Sequence, residues 1–269
     1  MKVLVIAFLS ATITQAFAKD EKIFPQGFSM PLADPLYPTL PYNYPNVSMM
    51  VFQYETLPEV SKLLPPTLKL ANPERPTAAL AFATYPSSTI GSYQEVILYL
   101  DVIANDAKPD ENTKVKPLKY CIILYVTTDV AMAAGRELAG FPKVMAEINF
   151  SNKGQYYNAS ARRKDLDVAA AQAEFEEDPF MSASDKLPVI ASTYLTYRLI
   201  PSILPQDNRG GSLVSTTWKL SKFKFYRAIN SEKIKLSLVK QGQLDKLVPI
   251  KELKSAVLVK ADMSVDQDR

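Results

Sequence analysis

Lys143 is the residue with the clearest chemical potential, because of what surrounds it in Gly135-Arg-Glu-Leu-Ala-Gly-Phe-Pro-Lys143-Val-Met. Asp129 can cap a helix through Val130, Ala131, Ala133, Ala134 and Leu138, and Gly140 is a natural stop before Phe141-Pro142 forces extended backbone. The lysine therefore follows a rigid bend and is flanked by Phe141, Val144 and Met145. An ammonium among such neighbours is poorly solvated, which favours the neutral amine, and a neutral amine can attack a ketone to form an imine. The competing reading is a surface lysine whose charge is simply favourable beside a helix C-terminus.

The rest of the composition narrows what else could do chemistry. The chain has no histidine, which excludes His-dependent triads, His general bases and the common histidine-containing zinc sites. Cys121 is the only cysteine, so no internal disulfide can form, and its setting in Tyr120-Cys-Ile-Ile-Leu-Tyr125 reads as a buried strand in which the thiol packs. Lysine, carboxylates, tyrosine and serine remain. No phosphate loop or dinucleotide fingerprint is present, and no metal, nucleotide or flavin site is expected.

The elements that must position Lys143 begin after a leader. Residues 1–18 carry one charge, Lys2, an apolar core from Val3 to Leu9, and Ala16-Phe17-Ala18 before Lys19-Asp20-Glu21-Lys22. This reads as a secretory signal peptide cut after Ala18, giving a secreted or periplasmic protein with no membrane attachment once the signal is removed. The apolar part is too short for an uncleaved spanning helix. The whole chain has a formal charge of +3, and loss of the leader removes only Lys2 and leaves +2. The densest basic run, Arg162-Arg163-Lys164, is answered by Asp165, Asp167, Glu174, Glu176, Glu177 and Asp178, so it reads as a solvated turn and no nucleic-acid partner is expected.

Pro25, Pro31, Pro35, Pro38, Pro41 and Pro45 make residues 19–45 an extended arm, and the interleaved Phe24, Phe28, Leu32, Leu36, Tyr37, Leu40, Tyr42 and Tyr44 suggest that it packs on the body. Strands are expected at 48–54, 77–84, 93–102, 120–127, 145–150, 155–161, 194–200, 213–220, 223–228, 234–240 and 256–263. Thr56-Leu-Pro-Glu59 has capping-box spacing for a short helix through Leu64, ended by Pro65-Pro66. Ala169 to Glu177 fits strand or helix, and Asp207-Asn-Arg-Gly-Gly211 reads as a turn. Many strands with two or three short helices predict a mainly β fold, barrel or sandwich, which on length alone could be one domain or two. Asn46-Val-Ser, Asn149-Phe-Ser and Asn158-Ala-Ser fit the glycosylation sequon.

With those residues in view, the chain resembles the acetoacetate decarboxylase family. Three blocks carry the likeness: Ser29 to Tyr42 with its spaced prolines, Gly135 to Lys143, and Leu247-Val-Pro-Ile-Lys-Glu-Leu through Lys260-Ala-Asp262. The run from Val51 through Pro65 also follows the family's strand and short helix. The likeness implies a single, mostly antiparallel β-barrel domain over 46–264 with a tail at 265–269, counted α+β for its few short helices. It also implies a lysine that forms a Schiff base with a small β-keto acid or related carbonyl compound, with no cofactor beyond that covalent imine. Lys143 falls on the nucleophile and Glu95 on one of the family's pocket glutamates, which makes both catalytic candidates.

Arg136 and Glu137 match the family's Arg-Glu pair and, with Phe141, are candidates for substrate contact. The pair could equally form a structural ion pair, and Tyr93, Tyr125 and Phe141 could equally be core. The resemblance departs at Val144, where well-known decarboxylases carry a second lysine, and, in alignment without gaps, at Leu80 and Tyr54, where the family has a glutamate and an arginine. Three functions stay open: a decarboxylase, a Schiff-base aldolase or dehydratase, and a non-catalytic small-molecule-binding barrel. A homo-oligomer is compatible with the resemblance.

Overall fold

The computed structural model describes residues 36–106, 117–179, 193–198, 212–238 and 243–265. The leader, the arm as far as Pro35, the expected turn at Asp207 to Gly211 and the tail after Val265 lie outside the described residues. The strands are β1 (Tyr42–Glu55), β2 (Leu68–Leu70), β3 (Thr77–Tyr85), β4 (Tyr93–Ala104), β5 (Leu118–Val126), β6 (Lys143–Met145), β7 (Glu147–Lys153), β8 (Tyr156–Arg163), β9 (Leu166–Glu177), β10 (Thr193–Arg198), β11 (Ser212–Ile229), β12 (Lys235–Leu238) and β13 (Glu252–Val265). Helices are α1 (Asp129–Ala139), α2 (Gln243–Leu247) and short 3-10 turns at Pro58–Leu63 and Ser231–Lys233. No described helix is long and apolar enough to cross a membrane.

Hydrogen bonding runs β10-β5-β4-β3-β1-β13-β11, and β10 pairs again with β11, so these strands close into a barrel. Most pairs are antiparallel; β10 on β5 and β6 on β5 are parallel. The long β11 leaves the ring and continues into a second sheet, β11-β9-β8-β7, with β12 on β9.

The two-residue period of the strands assigns their faces. Val96, Leu98, Leu100 and Val102 of β4 share one apolar cluster with Phe52 of β1, Leu80 and Phe82 of β3, and Tyr157, Ala169 and Phe175 of the second sheet. That cluster is the layer between the barrel's outer wall and the β7-β8-β9 sheet. The alternate residues, Glu95 and Ile97, surround a small hollow with Met49, Tyr85, Cys121, Tyr194, Trp218 and Met263. Every strand of the ring contributes to that lining, so this face is the barrel interior.

Several expectations are refined. β1 begins at Tyr42, so the last residues assigned to the arm are strand, and Tyr37, Tyr42 and Tyr44 are buried. The capping box at Thr56 does not form: Leu57 precedes the 3-10 turn without a side-chain cap, because Pro58 already sets its first position. Thr128, not Asp129, caps α1, its hydroxyl accepting from the Ala131 amide. The strand expected at 145–150 is two strands, β6 and β7, which separate at Ala146. Those expected at 213–220 and 223–228 are one, with a register shift between Ser221 and Lys224 around a left-handed Lys222. Ala169 to Glu177 is strand, its alternate alanines packed against the outer wall.

Candidate active site

Lys143 is placed by a parallel crossover. β5 ends at the barrel mouth, α1 crosses that mouth, and the chain returns as β6 beside β5, pairing Lys143 with Leu124. Parallel neighbours require such a crossover. Gly140 ends α1 in the left-handed conformation (φ 65°) that its lack of a Cβ permits, and its amide returns to the Arg136 carbonyl. Thr196 of β10 donates to the Ala139 carbonyl at 2.6 Å and ties the helix end to the barrel.

Both catalytic candidates are buried, Lys143 at 7% exposure and Glu95 at 3%, and they meet: Lys143 Nζ lies 2.6 Å from Glu95 Oε1. Tyr85 donates its hydroxyl to Glu95 Oε2 at 3.0 Å, while Oε1 has no hydrogen-bond partner besides the ion pair. The ammonium also lies 5.6 Å from the Tyr93 ring centre and 5.7 Å from that of Phe141. Burial, with the Glu95 charge second, pushes the phenols of Tyr44, Tyr85 and Tyr93 above their ordinary range. These tyrosines therefore stay protonated and serve as donors. Burial likewise pushes the Cys121 thiol up, which keeps it an inert packing group behind Lys143.

Two spaces adjoin the pair. The hollow that touches Glu95 has about 20 Å³, enough for one water. At the mouth, on the other side of Lys143, a cavity of about 390 Å³ is bounded by α1, the start of β1 and the first half of β11. Ala131, Ala134, Gly135 and Leu138 of α1 face it.

Of the residues singled out in the sequence, Lys143, Glu95 and Phe141 come together here. Arg136 and Glu137 do not: the 3.6-residue period that turns Gly135 and Leu138 to the cavity turns these two away, and Arg136 is exposed. Tyr54 and Leu80 are likewise absent from the site. Both lie on the outer wall, where Leu80 joins the interlayer cluster and the Tyr54 hydroxyl donates to the Val248 carbonyl at 3.2 Å. A one-residue offset in alignment turns a strand side chain to the opposite face, so these two positions carry no information about the pocket. Val144 is half-buried and packs against the interlayer cluster.

Two contributors were not foreseen. Tyr85 orients Glu95, and nothing in a strand ending in tyrosine distinguishes it from core. Gly135 makes room for Lys143: a Cβ there would stand 2.4 Å from Lys143 Cε and 2.6 Å from Cδ. Its signal was available, because glycine inside an alanine-rich helix costs about 1 kcal/mol relative to alanine and calls for a reason.

Among the described residues, no three His, Cys, Asp or Glu side chains gather as a metal site would require. The chain matches the family model "Acetoacetate decarboxylase (ADC)" over residues 29–269. It is 29% identical over 127 residues to the acetoacetate decarboxylase of Chromobacterium violaceum, an alignment covering 46% of this chain and 47% of that protein. It is 32% identical over 130 residues to acetoacetate decarboxylase 1 of Bradyrhizobium diazoefficiens, covering 48% and 47%. The matched segments thus span about half the length of these relatives. The fold is shared with the acetoacetate decarboxylase structure from Legionella pneumophila, at TM-score 0.71 and 21% identity over 89% of this chain and 91% of that one. It is also shared with the enduracididine biosynthesis enzyme MppR, at TM-score 0.67 and 14% identity over 93% and 97%. A lysine and a glutamate paired inside the mouth of a barrel of this shape, with a match over nearly the whole chain, place the protein in the acetoacetate decarboxylase family.

Proposed function

We propose that the protein is an exported Schiff-base lyase that removes carbon dioxide from a β-keto acid through an imine on Lys143. The observation that carries this reading is the 2.6 Å approach of Lys143 Nζ to Glu95 Oε1 in a buried setting beside an open cavity. Glu95 accepts a proton from the ammonium, and the freed amine attacks the substrate carbonyl. Glu95 returns that proton to the carbinolamine hydroxyl, which leaves as water, so that a protonated imine forms and Glu95 is again a carboxylate. The bond to the carboxylate then breaks, and its electron pair moves towards the iminium nitrogen. The resulting enamine takes a proton at carbon, and hydrolysis releases the ketone and restores the amine. Apolar walls and the nearby Glu95 carboxylate disfavour a substrate carboxylate relative to neutral carbon dioxide, which aids the cleavage step.

A second reading, aldol condensation or dehydration through the same imine, is favoured by the cavity volume, which exceeds the need of a four-carbon acid. The MppR structure, named as a complex with the condensation product of pyruvate and imidazole 4-carboxaldehyde, fits that reading.

The test is borohydride treatment after incubation with acetoacetate, followed by intact mass. An adduct that lacks the carboxyl carbon, present in wild type and absent in Lys143→Gln, is the expected result. An adduct that retains all carbons favours the second reading, and no adduct with any keto acid or aldehyde removes both. Gln keeps a donor for Glu95, so an unchanged melting temperature separates lost chemistry from lost folding.

A further inference from the structure

Acetoacetate would fill only part of the cavity beside Lys143. Its volume of about 390 Å³ falls in the range of pockets that bury much larger ligands, ~300–1,000 Å³. The walls away from the lysine are Tyr42, Tyr44, Ile90, Leu138, Val214 and Trp218, with Ser215, Thr216 and Thr217 between the last two, and among the described residues that line the cavity only Lys143 is charged. The aromatic part is continuous: the Trp218 ring centre is 5.2 Å from that of Tyr44, which is 5.2 Å from Tyr85, the donor to Glu95. A surface of this kind gains by covering hydrocarbon and loses by covering a second charge.

We propose that the substrate's keto carbon bears an apolar group of about five carbons or more, alkyl or aryl, which lies along the Trp218–Tyr44–Leu138 wall while the carbonyl meets Lys143. This deepens the Schiff-base reading and rests on it for the chemistry, although the binding preference can be measured without turnover. Short keto acids are poor fits because they leave the far wall wet. Dicarboxylates fit poorly because their second charge would meet no cation among the described residues of that wall.

Trp218 is the chain's only tryptophan and lines the cavity, so its fluorescence reports occupancy directly. Acetone and methyl hexyl ketone, which model a short and a long ketone product, are titrated into wild type and Lys143→Gln with excitation at the red edge of tryptophan absorption, and free N-acetyltryptophanamide in parallel corrects for ketone absorption and collisional quenching. Each methylene fully removed from water tightens binding by about fourfold. The expected result is a saturable change with Kd at least tenfold lower for the hexyl ketone in both proteins. Ala134→Leu, which adds bulk on the α1 side, should reduce that ratio to about threefold or less. Equal or weaker binding of the hexyl ketone, or a ratio untouched by Ala134→Leu, overturns the proposal. Borohydride trapping on the same samples separates the two claims: a long-ketone preference without a trapped adduct keeps this inference and sinks the catalytic reading, and trapping without a preference does the reverse.

Discussion

Gly135 shows how a residue with no side chain shapes the chemistry at this site. Because the atoms its missing Cβ would strike are the far end of a flexible lysine, Gly135→Ala should still fold with a cooperative melt, the better helix former offsetting part of the cost of parting Glu95 from its lysine. The lysine must yield instead, and its approach to Glu95 is lost. Imine trapping should fall at least tenfold while the melt stays cooperative, and trapping at the wild-type rate would show that Lys143 has another productive position. Lys143 and Phe141 were legible because their types and order sit in one short block. Tyr85 was not, because its partner Glu95 is ten residues away and meets it only through the β3–β4 pairing of Tyr85 with Tyr93 and the pleat that follows.

At the scale of elements, the anchoring of β1 at its far end is a second built feature. Glu55, the last residue of β1, is bonded by Lys251 at 2.6 Å and by Arg75 at 2.8 Å, with Lys254 at 3.4 Å. Hydrogen bonds from Lys251 and then Arg75 hold its carboxyl down, from an ordinary value of 4.5 to about 2. A carboxylate depressed in the fold contributes stability that is complete above its unfolded value and lost as pH falls through the folded one. The melting-temperature gap between wild type and Glu55→Gln should therefore be constant near neutrality and close between pH 4.5 and 2; a gap that persists at pH 2 would mean that packing, not charge, sets it. Strand positions were legible from apolar runs and turn residues, as in β3 and β4. Joins were less so: the polar Ser221 and Lys222 divided the expectation into two strands, yet the hydrogen bonding on β13 resumes beyond the register shift there.

At the scale of the molecule, the barrel carries a buried ion pair towards each end of β4. Glu95 stands near the start of β4 at the mouth, whereas Asp101, further along the same strand, is ion-paired with Lys119 of β5, whose side chain is almost fully buried. Burial raises the Asp101 carboxyl and the Lys119 charge opposes that rise. Lys119→Met alone strands a buried carboxylate and should cost about 3–5 kcal/mol, whereas adding Asp101→Leu should recover most of it. Chemical denaturation of both variants reads this directly, and an additive double variant would show that the two groups act separately. Periodicity and composition left barrel and sandwich open and only the family resemblance pointed to a barrel, since closure depends on β10 bonding both β5 and β11. Composition alone holds no record of which strand ends meet.

The pairing of Thr196 with the Ala139 carbonyl and the double bonding of β10 also bear on how the protein comes into being. The ring shuts through strands taken from both halves of the chain, and β1 must wait for β13. Contacts so distant in sequence form slowly, since a long loop must close before it is rewarded. The C-terminal end of α1 is tied down only once β10 has docked, so a chain that stops short of β10 holds the Lys143 block without that tie. The setting of Lys143 at the barrel mouth is then a late property of folding, reached only after residues far apart in sequence have met.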